Sequence, residues 1–276
     1  MILSCLIATG IFYVNDPVVT MRESLSHDGR VASQAIFSEK VIIENADGEW
    51  ICIKTSDGYQ GWVPSSSLVS RQTPYETDLT VSRLCVHVYG VKDTEFGPIK
   101  TLPYGAKLRA LDTTDVRWIQ VELLDGTVGY IQKGDVLPEP KMHKKVDLVE
   151  FSKNFLGLPY TWGGRSSFGY DCSGFIQMLY SKIDIHLQRD ARQQILDNRF
   201  CEVSVDKLEP GDLVFFGKAA DKIGHVGMYI GNGQFIHATP RENKPWLRIS
   251  NLSDKEWAGT ADVYYPYRTM RQLIVE

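Results

Sequence analysis

Cys172 stands in Tyr170-Asp171-Cys172-Ser173-Gly174-Phe175, and two histidines follow it: His225 in Gly224-His225-Val226-Gly227 and His237 in Phe235-Ile236-His237. A thiol becomes an acyl-transfer nucleophile when a base removes its proton and a third polar group orients that base. The chain order Cys, His, His supplies that set. Phe175, Ile176, Leu179, Tyr180 and Ile183 recur at helical spacing, so Cys172 belongs in the first turn of a helix with Asp171 or Ser173 near the cap. A helix start presents unpaired N–H groups and partial positive charge, which favour a thiolate and can hold an oxyanion. A cysteine without such context is more often a small buried hydrophobe. Cys52, Cys85 and Cys201 are read that way.

The two histidines flank Gly231-Asn232-Gly233, which reads as a hairpin turn. With a two-residue turn, opposed positions sum to 465, counted from 231 facing 234. His237 then faces Met228, and His225 points to the other side. With a three-residue loop they sum to 464: His237 opposes Gly227, and His225 is diagonal to it on the same face. A working pair requires the second register, so a three-residue loop is expected. His225 would then take the thiol proton and later protonate the leaving amine, while His237 fixes its tautomer. No third ligand with suitable spacing supports a metal site instead.

Several elements must position these groups. Val146 to Leu156 reads as a helix closed by Gly157. The glycine-rich loop Leu158-Pro159-Tyr160-Thr161-Trp162-Gly163-Gly164-Arg165 lacks the Gly-Lys-Ser/Thr of a phosphate cradle. Its glycines are expected to let backbone pass close to a substrate or to the Cys172 helix. Leu208 to Phe216 reads as a turn and then a buried strand. Upstream, residues 50–63 align without a gap on residues 118–131, an offset of 68 (118 less 50), and each copy reads as strand, Asp-Gly turn, strand. Two small all-β barrels follow, over 1–72 and 80–138, with a proline- and charge-rich linker near 137–145.

Composition excludes several classes. Hydrophobic residues are 43%, charged residues 23% and the net charge is −4, with no basic block to bind nucleic acid or a membrane surface. The five cysteines form no Cys-x-x-Cys pair and are odd in number, which suits a reducing compartment better than a disulfide framework. The apolar opening residues are too short to span a bilayer and make a poor signal peptide, and they read as a first β-strand. Cytoplasmic residence is therefore expected, with a periplasmic or secreted location if the native chain has been trimmed.

The repeat, with its Trp strand, Asp-Gly turn and Gly-aromatic strand, resembles the bacterial SH3-like modules that accompany cell-wall hydrolases. Pro159-Tyr160-x-Trp162-Gly163-Gly164, Asp171-Cys172-Ser173-Gly174-Phe175, Gly224-His225-Val226-Gly227 and Ile236-His237-Ala238 together resemble the NlpC-type peptidases. That resemblance implies an α+β chain, with a papain-like cysteine peptidase domain over 141–276 preceded by the two SH3-like barrels. It also implies cleavage of γ-D-glutamyl to diamino acid bonds in peptidoglycan stem peptides, without a cofactor. Carried onto this sequence, Cys172 is the nucleophile, His225 the base, His237 the orienting residue, and Tyr160 a neighbour of the thiolate at the oxyanion site. The two-barrel arrangement is similar to a subgroup that admits short peptides with a free N-terminal L-Ala. There Asp171, Ser173 and Asp190 line the pocket, Tyr59 contributes from the first barrel, and Asp171 or Glu23 meets the substrate amine. An autolysin acting on intact wall predicts an open cleft and an export signal. A relict binding protein is at odds with the complete Cys172, His225 and His237 set. An acyltransferase would carry an apolar insertion, which is not seen.

Overall fold

The computed structural model describes residues 10–136 and 142–274, so the expected opening strand and the centre of the linker lie outside the described residues. The chain divides near residue 140 into two compact units, with Ser166–Phe168 grouped with the first.

The first unit holds two antiparallel sheets. One contains β1 (Ile11–Val14), β2 (Val18–Arg22), β3 (Val31–Ile36), β4 (Lys40–Asp47), β5 (Trp50–Lys54), β6 (Gln60–Pro64) and β7 (Leu68–Arg71), in the order β3-β2-β6-β5-β4-β1-β7. The other contains β8 (Leu79–Thr80), β9 (Cys85–Tyr89), β10 (Pro98–Pro103), β11 (Lys107–Asp112), β12 (Trp118–Glu122) and β13 (Val128–Gln132), in the order β10-β9-β13-β12-β11-β8. The repeat read from sequence is present in register: Trp50 pairs with Pro64 and Lys54 with Gln60, as Trp118 pairs with Gln132 and Glu122 with Val128. Each Asp-Gly turn is tied by its own carboxylate. Asp57 Oδ1 accepts from the Tyr59 N–H at 3.2 Å, and Asp125 Oδ1 from the Thr127 N–H at 3.0 Å. The second sheet does not build its core alone. Tyr13 of β1, Phe37 of the turn after β3 and Tyr75 of the connection pack with Val86, Val88, Leu108, Val121 and Ile131.

The second unit is α+β. Its first helix, α1 (Asp147–Lys153), is shorter than the run expected from sequence, because residues 154–157 continue as turns to Gly157. A two-stranded hairpin, β14 (Arg165–Ser166) and β15 (Gly169–Tyr170), leads into α2 (Cys172–Ser181), and α3 (Ala191–Gln194) follows. The antiparallel sheet comprises β16 (Phe200–Val203), β17 (Leu213–Gly217), β18 (Ile223–Gly231), β19 (Gln234–Thr239), β20 (Trp246–Asn251) and β21 (Tyr267–Leu273), in the order β16-β21-β17-β18-β19-β20. α2 packs on β18 and β19. Phe175, Ile176, Leu179 and Tyr180 are fully buried, and the Phe155, Tyr170 and Phe175 rings pack at steep angles to one another, with centroids within 6.0 Å. On the sheet, Val214, Phe216, Phe235, Leu252, Trp257 and Met270 form a second core.

The β18–β19 hairpin corrects the expected loop while keeping the register that mattered. Gly231 pairs with Gln234, so the turn has two residues, Asn232 and Gly233, both at positive φ (54° and 73°). A bulge between Tyr229 and Gly231 then shifts the pairing, and Tyr229 faces Phe235 and Met228 faces Ile236. The extra residue on β18 turns the even register at the tip into the odd one needed below it.

Candidate active site

α2 begins at Cys172 because Asp171 caps it: Asp171 is extended (φ −91°, ψ 178°) and its Oδ1 accepts from the Gly174 N–H at 2.7 Å. Gly174 is required where it stands. A Cβ there would lie 2.2 Å from the carbonyl oxygen of Gly164, so the glycine-rich loop runs directly against the helix. The Cys172 sulfur is buried and receives the N–H groups of Ser173 and of Val226, next to His225 on β18. Those donors and the helix start favour a thiolate, but burial, followed by the Asp171 carboxylate, outweighs them and pushes the thiol up to about 12. The resting group is a thiol, contrary to the thiolate expected from the helix start.

His225 and His237 share one face of the sheet, and His225 Nε2 lies 2.7 Å from His237 Nδ1. Gly227 makes room for this pair, since a Cβ there would come within 2.7 Å of the Phe235 ring and 3.2 Å of the His237 Cβ. With its Nε2 engaged, His225 has Nδ1 left for chemistry. His237 Nε2 continues to Ser250 Oγ at 3.0 Å, and Arg248 Nη1 donates to the same oxygen at 3.2 Å. Trp257 packs 5.1 Å from the His225 ring and 4.7 Å from His237, while Tyr265 stacks nearly parallel on His225 at 5.8 Å. Burial, then Arg248 and Arg241, push His225 down to about 3; burial, then His225 and Arg248, hold His237 well below its ordinary value. Both rings rest neutral.

Tyr160 is half-buried, and its backbone N–H donates to Pro245 O at 2.8 Å. Burial and then the nearby Cys172 push its phenol upward, so it stays a neutral donor beside the sulfur. Tyr265 has the same neighbour and is pushed up to about 12, by burial first. Asp171 and Ser173 join a buried network. Arg189 Nη1 and Nη2 reach Asp171 Oδ1 and Oδ2 at 3.0 and 2.6 Å, Arg189 Nη1 also donates to Ser173 Oγ at 3.0 Å, and Gln194 Nε2 donates to Ser173 O at 3.1 Å. Asp190 caps α3 and pairs with Arg192 at 2.8 Å. Cys172, His225, His237, Tyr160, Asp171 and Ser173 thus gather around the start of α2 and strands β18 and β19. Tyr59 and Glu23 belong to the first unit, where Tyr59 closes the Asp57-Gly58 turn and exposed Glu23 pairs with Arg30 at 3.7 Å.

Sequence reasoning missed Arg189, Ser250, Arg248, Trp257 and Tyr265. Arg189 sits beside the flagged Asp190, and Arg248 and Ser250 alternate along a strand, but their partners depend on the β19–β20 register. Trp257 closes a short 3-10 turn and Tyr265 lies in an irregular segment, with no spacing to mark either. Among the described residues, no group of three or more His, Cys, Asp and Glu side chains could hold a metal ion, and no helix is long and apolar enough to cross a membrane.

Residues 157–263 match the model of the NlpC/P60 family, and residues 21–68 match the bacterial dipeptidyl-peptidase SH3 domain. A γ-D-glutamyl-L-lysine dipeptidyl-peptidase of Bacillus subtilis is 31% identical over 84% of this chain and 80% of its own length. A protein of the same name from Bacillus cereus is 30% identical over 85% of this chain and 76% of its own. The crystal structure of an NlpC/P60 family protein from Bacillus cereus superposes with a TM-score of 0.76 at 24% identity, covering 90% of this chain and 96% of that one.

Proposed function

Because the chain belongs to the NlpC/P60 family of cysteine peptidases, we propose that it hydrolyses the amide between the γ-carboxyl of D-Glu and the diamino acid in short peptidoglycan stem peptides. The observation that carries this reading is the 2.7 Å contact between His225 and His237 beside the Cys172 turn, together with the activity in the names of the two relatives. Cys172 Sγ attacks the γ-carbonyl carbon as its proton passes to His225 Nδ1. The carbonyl oxygen takes the charge, facing the Tyr160 hydroxyl and the N–H groups at the start of α2. Collapse of the intermediate breaks the C–N bond, and His225 returns the proton to the departing amine. Water, deprotonated by His225, then hydrolyses the thioester to the free γ-carboxylate and the thiol.

The preferred substrate in this reading has a free N-terminal amine. Asp171, which also binds Arg189 through both carboxylate oxygens, or Glu23 is taken to meet this amine, with Asp190 and Tyr59 carried from the sequence as further contacts. The compartment is taken to be the cytoplasm, in keeping with the free thiols of Cys52, Cys85, Cys172 and Cys201. The test compares L-Ala-γ-D-Glu-L-Lys, its diaminopimelate counterpart, the N-acetylated forms and intact sacculi, with release of the C-terminal portion measured by chromatography. Free peptides should be cut and acetylated ones spared. Equal cleavage of both overturns the free-amine requirement, and a Cys172→Ala protein with full turnover overturns the mechanism.

A further inference from the structure

The hydrogen-bonded chain from His225 does not stop at His237. His237 Nε2 lies 3.0 Å from Ser250 Oγ, and Arg248, directly opposite His237 in the β19–β20 register, donates Nη1 to that same oxygen at 3.2 Å. Its Nη2 is held by the Glu242 carboxylate and by Arg241 O. His225, His237, Ser250 and Arg248 are all buried. In such surroundings the bonding partner, not water, decides which ring nitrogen carries hydrogen.

His225 can accept a proton at Nδ1 only if Nε2 carries its hydrogen. His237 Nδ1 must then accept, and His237 Nε2 must donate. A guanidinium also only donates. Between these two donors the chain needs a group that accepts twice, and the Ser250 hydroxyl, with two lone pairs, is that group. We propose that Ser250, anchored by Arg248, is a positioning residue that holds His237 in the ring orientation and tautomer through which His225 works as the base.

This rests on the assignment of Cys172 and His225 above. Arg248 adds its charge, which helps to keep both rings neutral at rest. The charged and titratable groups facing the pair are Cys172 from α2, Arg248 from β20, Arg241 from the turn after β19, and Tyr265; Phe216, Phe235 and Trp257 complete the wall with aromatic surface.

The test measures kcat and KM for L-Ala-γ-D-Glu-L-Lys across pH in Ser250→Ala, Ser250→Thr, Arg248→Met and His225→Ala proteins, with folding checked by circular dichroism. Ser250→Ala should lower kcat about 10- to 100-fold, part of what a positioned base supplies, and leave KM within about twofold. Ser250→Thr, which keeps the hydroxyl, should recover most of it. Arg248→Met removes a cation from the pair, so the acid limb of the kcat/KM profile should move to higher pH. Should Ser250→Ala fail to fold, Ser250→Thr and Arg248→Met decide. Parent-like kcat in folded Ser250→Ala, or an Arg248→Met profile with an unmoved acid limb, overturns the proposal. An active His225→Ala protein would instead overturn the underlying assignment of the base.

Discussion

Asp171 and Arg189 meet through two parallel hydrogen bonds, 3.0 and 2.6 Å long, below the first turn of α2, and Arg189 is only 2% exposed. The same carboxylate caps the helix that carries Cys172 and, after burial, is the next cause of its raised thiol pKa. One ion pair therefore anchors the cap that positions the sulfur, and its two members act on the thiol in opposite directions, Asp171 raising its pKa and Arg189 lowering it. Arg189→Met leaves a buried carboxylate unpaired, and urea denaturation should show a loss of about 3–5 kcal/mol. Asp171→Asn removes an anion beside the thiol, so iodoacetamide should alkylate Cys172 at lower pH than in the parent.

The resting thiol gives a second prediction. With Cys172 pushed up to about 12 and His225 down to about 3, the pair is neutral near pH 7. Alkylation without substrate should be slower at pH 7–8 than that of a free cysteine, whose pKa is about 8.5, and should climb through the alkaline range. A rate near pH 7 matching a thiolate would contradict the neutral pair.

Stability should depend on pH through the same histidine. The folded His225 value lies below the ordinary imidazole value of 6.5, so the unfolded chain binds more protons between the two. Stability is complete above about 6.5 and is lost as pH falls toward 3. At pH 5 His225 alone should cost roughly 1–2 kcal/mol. Denaturation series at pH 7.5 and 5 on the parent and on His225→Gln would measure it, the variant showing the smaller fall.

The bulge at Ile230 makes a sharper test of the hairpin. Deleting Ile230 removes only the extra residue: Tyr229 still faces Phe235 and Met228 still faces Ile236, so His225 and His237 stay on one face and activity should stay near that of the parent. One residue inserted between Gly227 and Met228 should instead carry His225 to the other face and lower activity by more than about 100-fold, the scale of general-base catalysis, while the far-ultraviolet dichroism stays near that of the parent. Exchanging Asn232-Gly233 for Asp-Gly, another two-residue turn, should leave kcat within about twofold.

Much of this was legible in the sequence because it was local. The repeat of 50–63 in 118–131 carried its own register, and the Cys172 helix showed its apolar face and its cap. The hairpin was half legible. Parity gave the register, but the bulge that produces it leaves no mark in Tyr229-Ile230-Gly231. The groups around the histidines were hidden for another reason. Ser250, Arg248, Trp257 and Tyr265 reach the pair only through strand pairing and packing across the sheet, and one sequence does not state which distant segments meet.

Tyr13 comes from β1 and Phe37 from the β3–β4 turn of the first repeat, yet they complete the interior of the second sheet. The two repeats are therefore not interchangeable cassettes. A shortened protein built to remove only the first sheet would leave an unfilled hole in its neighbour, and the two should melt in a single step. Two hairpins of the same register thus stand over one shared interior, which ties the stability of each repeat to the other.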